Sequence, residues 1–191
     1  MYPAEIFRDT LTRLLTILID HGVRFHLTGG ITSVAYGEPR MTQDIDIVVD
    51  NTALARSLDA FIAAATTAGF LLDAAAIRRA VAEGSMFQLF DIPEALKIDV
   101  YPREMIPGEL DRSTSLEVFA GMRIPVVSRP DAAASKLAWA AKGSQKSRRD
   151  LRQIVRRMPT SERGELDRLA GVLHLTELLV EILREPDDIT G

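Results

Sequence analysis

Apolar residues in this chain follow two rhythms, and the switches between them mark its parts. Near the start, Phe7, Leu11, Leu14, Leu15 and Leu18 recur at helical spacing, which predicts an amphipathic helix over roughly Ala4 to His21, stopped by Gly22. Val23 to Leu27 then reads as a strand, and a glycine pair opens a short helix from about Ile31 to Tyr36. After a loop at Gly37-Glu38-Pro39-Arg40, the run Thr42-Gln43-Asp44-Ile45-Asp46-Ile47-Val48-Val49 holds a strand bearing Asp44 and Asp46. Asn51 or Thr52 is expected to cap a helix with Leu54, Leu58, Phe61, Ile62 and Ala65 on one face, closing near Gly69. Met86 to Phe90 and Leu96 to Tyr101 form a predicted hairpin turning through Asp91-Ile92-Pro93-Glu94-Ala95. A Pro- and Gly-punctuated loop follows, then a second hairpin of Glu117 to Ala120 and Arg123 to Val127 around Gly121-Met122.

From Ser128 onward the helical rhythm returns. Ser128-Arg129-Pro130-Asp131 has the spacing of a helix start, with proline in the first turn. Ala134, Leu137, Ala138 and Ala141 then make a narrow small-residue face. Ser147 is expected to open the next helix, with Leu151, Ile154, Val155 and Met158 inward and Pro159 as its stop. Thr160 or Ser161 starts the last helical region, with a break expected near Gly171. The pattern predicts an α/β protein: a core over residues 1–127 with a mixed sheet and flanking helices, and a C-terminal helical subdomain over 128–191 packed on it.

The chemistry concentrates on the strands. Successive strand side chains alternate faces, so Asp44 and Asp46 point one way while Ile45 and Ile47 point the other. Two carboxylates on one face of an apolar strand repel each other and resist burial, and a divalent cation between them removes both problems. Upstream, Gly29 and Gly30 let the backbone approach an anion closely with its N–H groups. Asp99 lies in the alternating run Leu96-Lys97-Ile98-Asp99-Val100-Tyr101, on a face shared with Lys97 and Tyr101. If this strand pairs with the one bearing Asp44 and Asp46, three acids converge; alternatively Asp99 pairs with Lys97 or a nearby arginine.

Composition narrows the classes. The 191 residues suffice for one domain, or for one core with a helical appendage, and at 47% hydrophobic and 26% charged their composition is ordinary for a globular protein. There are no cysteines, so disulfides and thiolate metal sites are excluded. His21, His26 and His174 lack ligand spacing and are expected as surface or partly buried histidines and not as zinc ligands. The longest apolar stretch, around Ala60 to Leu72, is too short to span a bilayer, and the first residues lack the features of a signal peptide, so a cytoplasmic protein without membrane contact is expected. Net charge is −4, but residues 142–157 hold seven Lys or Arg against Asp150, leaving 16 basic and 26 acidic residues elsewhere. Such a run is either a solvated helix face or a wall for anions.

The glycine pair followed by a strand with Asp-x-Asp and a third aspartate resembles the signature of the DNA polymerase β-like nucleotidyltransferases. Arg40-Met41-Thr42-Gln43-Asp44-Ile45-Asp46 stands where AbiEii-like members show Arg-x-Ser/Thr-x-Asp-Ile-Asp. Lys136 to Gly143, followed by Ser147-Arg148-Arg149-Asp150-Leu151, resembles that family's later motifs. The resemblance runs from about residue 23 to 155 and implies a nucleotidyltransferase-type mixed sheet. It implies Asp44, Asp46 and Asp99 as catalytic ligands of Mg²⁺ or Mn²⁺. It also implies that Gly29, Gly30, Arg40, Thr42, Lys136 and Asp150 bind the nucleoside triphosphate donor, with Lys136 against its β/γ-phosphates. On the residues alone, Arg40 could equally brace its loop, Thr42 could cap the turn, and Asp150 would be stabilised at a helix start by the dipole in any case. The glycine pair departs from the family's Gly-Ser, so a triphosphate there would meet backbone amides and no hydroxyl. The family includes toxins of toxin–antitoxin systems, which implies a cognate antitoxin, with tRNA or another RNA as one candidate acceptor. A catalytically inactive binding or regulatory module on the same fold is the alternative.

Overall fold

The computed structural model of the chain describes residues 4–37 and 44–186. It divides into two compact units, one of residues Met1–Ile31 with Met41–Val127, the other of Thr32–Arg40 with Ser128–Gly191.

The first unit is built on a seven-stranded sheet. Its strands are β1 (Phe25–Thr28), β2 (Asp44–Val49), β3 (Phe70–Leu71), β4 (Phe87–Asp91), β5 (Leu96–Tyr101), β6 (Thr114–Phe119) and β7 (Met122–Val126). They lie side by side in the order β3-β4-β5-β2-β1-β7-β6. β2 runs parallel to β5 and β1 parallel to β7, while the other neighbours are antiparallel, so the sheet is mixed as expected. Both predicted hairpins form, with β6 starting earlier than the alternation suggested.

One sheet face carries Leu27, Ile45, Ile47, Leu89, Ile98 and Val100, all fully or nearly fully buried. Removing each such side chain from water contributes about 1.5–3 kcal/mol, which explains why strands this short hold their register. Helix α1 (Ala4–Asp20) is held to this side of the sheet by polar contacts as well. The Thr10 hydroxyl donates to buried Asp91 of β4 at 2.5 Å, and Arg13 forms an ion pair with the same carboxylate. Arg13 also lies over the Phe70 ring, 5.0 Å from its centre.

The single helix expected after Val49 is two, α3 (Asn51–Arg56) and α4 (Leu58–Thr67), parted at Ser57. Its cap is Asp50 and neither Asn51 nor Thr52: the Asp50 carboxylate accepts from the Ala53 amide at 3.1 Å, satisfying an orphan donor of the first turn. Helix α5 (Ala74–Glu83) has no counterpart among the expected elements. Ile77, Ala80 and Val81 form its buried stripe at helical spacing, Asp73 caps one end, and Gly84, at φ 62°, closes the other.

Helix α2 (Gly29–Tyr36) begins in the first unit and continues into the second. The second unit otherwise comprises α6 (Arg129–Ala141), α7 (Gln145–Arg156), α8 (Thr160–Val172) and α9 (Thr176–Arg184). Ser128 caps α6 by accepting from the Asp131 amide at 3.2 Å, with Pro130 in the first turn, as expected. Its small residues Ala133 and Ala134 are fully buried, which lets α7 and α8 pack closely against α6. Ser144, not Ser147, caps α7; the Ser147 amide is the donor, and its side chain is buried. The last helical region breaks at Leu173-His174-Leu175, with His174 at φ 57°, and Gly171 stays inside α8. Among the described residues no helix is long and apolar enough to cross a membrane.

Candidate active site

Strand register assembles the acids. Thr28 at the end of β1 pairs with Asp46, so the chain turns into Gly29-Gly30 beside that carboxylate. Across the parallel pairing, Asp46 lies opposite Asp99 and Asp44 opposite Lys97. All four side chains share the sheet face opposite the apolar core, along with Tyr101 of β5 and Gln88 of β4. Asp99 is nearly buried, whereas about half of the Asp44 side chain is exposed.

Each carboxylate is held by donors. Gln88 Nε2 donates to Asp99 Oδ1 at 2.9 Å, and Lys97 Nζ donates to Asp99 Oδ2 at 2.9 Å. The same ammonium lies 3.4 Å from Asp44 Oδ2. Asp46 accepts from the Tyr101 hydroxyl and from the Gly30 amide, each at 3.4 Å. The hydrogen bond to Asp99 is the main reason the Lys97 pKa is raised, reinforced by the charges of Asp99 and Asp44 and opposed by desolvation. Burial raises the Tyr101 pKa first, and the negative charges of Asp46, Asp99 and Asp44 add to it, so the phenol stays neutral and remains a donor.

The glycine turn is in close contact with the acids. Gly29 has φ 64°, a region open to glycine and strained for other residues, and a Cβ placed on it would come within 2.8 Å of the Asp46 Cβ and closer still to the carboxylate. Backbone approach to Asp46 therefore requires glycine at this position.

The donor set tests whether a metal fits. Three carboxylates offer the hard oxygen ligands that Mg²⁺ or Mn²⁺ takes. As placed, they gather around the Lys97 ammonium and the Tyr101 hydroxyl: among the described residues no three His, Cys, Asp or Glu side chains stand together closely enough to hold an ion. The chemistry of the donors fits a divalent cation, and the ammonium marks where positive charge is needed.

Lys136 and Asp150 meet in the second unit. Lys136 Nζ is 2.9 Å from Asp150 Oδ2, and both side chains are close to buried. Because α7 begins at Gln145, Asp150 lies in its second turn, beyond the reach of the dipole expected to stabilise it; the Lys136 ammonium does that instead. Arg40 and Thr42 lie outside the described residues. Part of the basic run is neutralised within its own unit. Arg148 pairs with Glu181 and Glu185, Arg152 with Glu185, and Arg157 donates to the Gly37 carbonyl. His26, expected at the surface or partly buried, is fully buried, with Nδ1 2.8 Å from the Ser113 hydroxyl.

Three residues of the acid cluster were not singled out from the sequence as site residues: Lys97, Tyr101 and Gln88. The first two share the period-two face of Asp99, and counting back through the β4–β5 hairpin puts Gln88 opposite Asp99. An open cavity of about 540 Å³ adjoins this edge of the cluster, lined among others by Leu71, Ile77, Met86, Gln88 and Phe90.

The mixed sheet with C-terminal helices is the fold of the nucleotidyltransferases. It is similar to a solution structure of the antibiotic-resistance factor ANT(2'')-Ia, with 13% identity and a TM-score of 0.50 over 96% of this chain and 93% of that one. A crystal structure of an antigenic nucleotidyltransferase-like protein from Paracoccidioides brasiliensis aligns at 15% identity and a TM-score of 0.46, over 91% of each chain. No curated protein matches the chain. Residues 13–170 match the family described as "Nucleotidyl transferase AbiEii toxin, Type IV TA system", and the chain belongs to that family.

Proposed function

We propose that the protein transfers a nucleoside monophosphate from a nucleoside triphosphate to an acceptor hydroxyl, releasing pyrophosphate. The observation that carries this reading is the strand register that puts Asp46 beside Asp99 with the Gly29-Gly30 turn against Asp46. Asp44, Asp46 and Asp99 would hold Mg²⁺ or Mn²⁺, which when bound neutralises charge on the attacking and leaving oxygens and acidifies the hydroxyl. The amides at Gly29 and Gly30 receive the phosphates, with Arg40, Thr42 and Lys136 as further phosphate contacts and Asp150 orienting Lys136. Asp99, held through Oδ1 by Gln88, has an orientation from which to direct the acceptor hydroxyl. That oxygen forms a bond to the α-phosphorus, the bond to the β-phosphate oxygen breaks, pyrophosphate leaves with the electron pair, and the hydroxyl proton passes to solvent.

The acceptor approaches from the β4 side, where Gln88 links the apolar cavity to Asp99. The family implies a toxin restrained by a cognate antitoxin. An RNA 3′ end such as that of tRNA is the acceptor class we propose. The test is incubation with each labelled triphosphate, Mg²⁺ and candidate acceptors while pyrophosphate is followed, alongside bacterial growth with the parent or Asp46→Ala. Absence of Mg²⁺-dependent triphosphate binding at millimolar metal would sink the reading.

A further inference from the structure

We infer that Lys97 is a built-in counter-cation that competes with the divalent metal for the carboxylates and so makes metal loading depend on nucleotide. The inference rests on the metal-binding reading above. Its basis is the placement of one side chain. Lys97 lies two residues before Asp99 on β5, hence on the same face, and directly opposite Asp44 on β2. Its ammonium is 2.9 Å from Asp99 and 3.4 Å from Asp44, bridging two strands and two of the three acids. In the metal-free protein it offsets the repulsion among carboxylates crowded on one face. Lys97 thus stands between Asp44 and Asp99, while Asp46 is held by Tyr101 and the Gly30 amide.

A divalent ion shared by the same acids would stand within a few ångströms of this ammonium and repel it. One of the two must yield, and Lys97 can. About a third of its side chain is exposed, and a lysine ammonium is a point charge on a flexible stem. Leaving the acids without another partner is unfavourable for the ammonium. A bound triphosphate supplies one, because its phosphates bring more negative charge to the same face. Metal alone is therefore held weakly, and metal with nucleotide well. Lys97 is a positioning residue in this account, acting on the ligands and not on the reacting atoms.

The test compares Mn²⁺ binding to the parent, Lys97→Gln and Lys97→Arg at fixed ionic strength, without nucleotide and with a non-hydrolysable triphosphate analogue. Free Mn²⁺ is read by electron paramagnetic resonance, and thermal melts in chelator are run on the same proteins. Lys97→Gln should bind Mn²⁺ roughly tenfold more tightly than the parent without nucleotide, the effect of removing one unit charge near a divalent ion in a high dielectric. That gain should shrink when the analogue is present, and the chelator melt of this variant should fall below the parent's. Lys97→Arg keeps the charge and should keep the parent's weak binding. Equal Mn²⁺ affinities for the parent and Lys97→Gln would overturn the competition alone. Absence of Mn²⁺ binding by every form, with and without the analogue, would overturn the metal-dependent reading and the competition with it.

Discussion

Gly29→Ala probes the tightest approach in the candidate site. Two separate costs are expected. The first is conformational: Gly29 sits at φ 64°, where an L-residue is about 1–2 kcal/mol less stable. The second is steric. The new methyl would lie 2.8 Å from the Asp46 Cβ and nearer still to its carboxylate, and Asp46 belongs to β2, which β1 and β5 flank on either side. Neither backbone can yield far, so overpacking adds roughly 1–3 kcal/mol. The total is about 2–5 kcal/mol. Gly121→Ala separates the two contributions, because Gly121 has φ 74° with nothing within 4 Å of an added methyl, and it should lose only the conformational share, about 1–2 kcal/mol. Urea denaturation of both variants gives the difference directly. Asp46→Gly in the Gly29→Ala background removes the Cβ at 2.8 Å as well as the carboxylate and should restore about 1–3 kcal/mol as a coupling energy in a double-mutant cycle. If Gly29→Ala is no more destabilised than Gly121→Ala, or the cycle shows no coupling, the close approach of the glycine turn to Asp46 is wrong.

Other outcomes follow from the second unit and from the phenols. Lys136→Met leaves the Asp150 carboxylate buried without its cation and should cost about 3 kcal/mol in denaturant titrations. Lys136→Met with Asp150→Leu should recover most of that, and an equally unstable double variant would refute the pairing. Burial pushes the Tyr36 phenol up to about 12, against the charge of Arg129, and raises Tyr101 as well. Between pH 10 and 12 the native state thus keeps phenolic protons that the unfolded state loses, so stability must fall as pH rises through that window. Phenolate absorbance of the folded protein should lag correspondingly, and normal titration of every tyrosine would contradict it. Because Arg148 and Arg152 are engaged by Glu181 and Glu185, an RNA surface on the basic run would draw on exposed residues such as Lys146 and Arg149. Charge reversal at these two should weaken tRNA binding and flatten its salt dependence while sparing triphosphate binding. Unchanged tRNA binding across a salt titration would make the run a solvated helix face.

The sequence by itself determined the local elements and the face of each acid. Alternation in Asp44 to Val49 and in Leu96 to Tyr101 can be read because a strand has a period of two, so Ile45, Ile47, Ile98 and Val100 had to point away from Asp44, Asp46 and Asp99. The two hairpins and the start of α6 were legible for the same reason, since turn residues and caps act over three or four positions. Helix α5 carried local signals of the same kind, the Asp73 cap, the spacing of Ile77, Ala80 and Val81 and the Gly84 stop, which the expected elements left out, and Ser144 and Asp50 displaced the expected caps because a cap depends on which backbone amide the side chain reaches. Tertiary structure alone decided which strands are neighbours. Parallel pairing of β2 with β5 joins segments some fifty residues apart, and no local rule could say that Asp46 meets Asp99 while Asp44 meets Lys97. The same holds for the Lys136–Asp150 pair and for the neutralising of Arg148 by Glu185. Charge in a sequence is only a count. Which carboxylate an ammonium or guanidinium faces is a matter of a few ångströms, set by strand register and helix packing after the chain has folded.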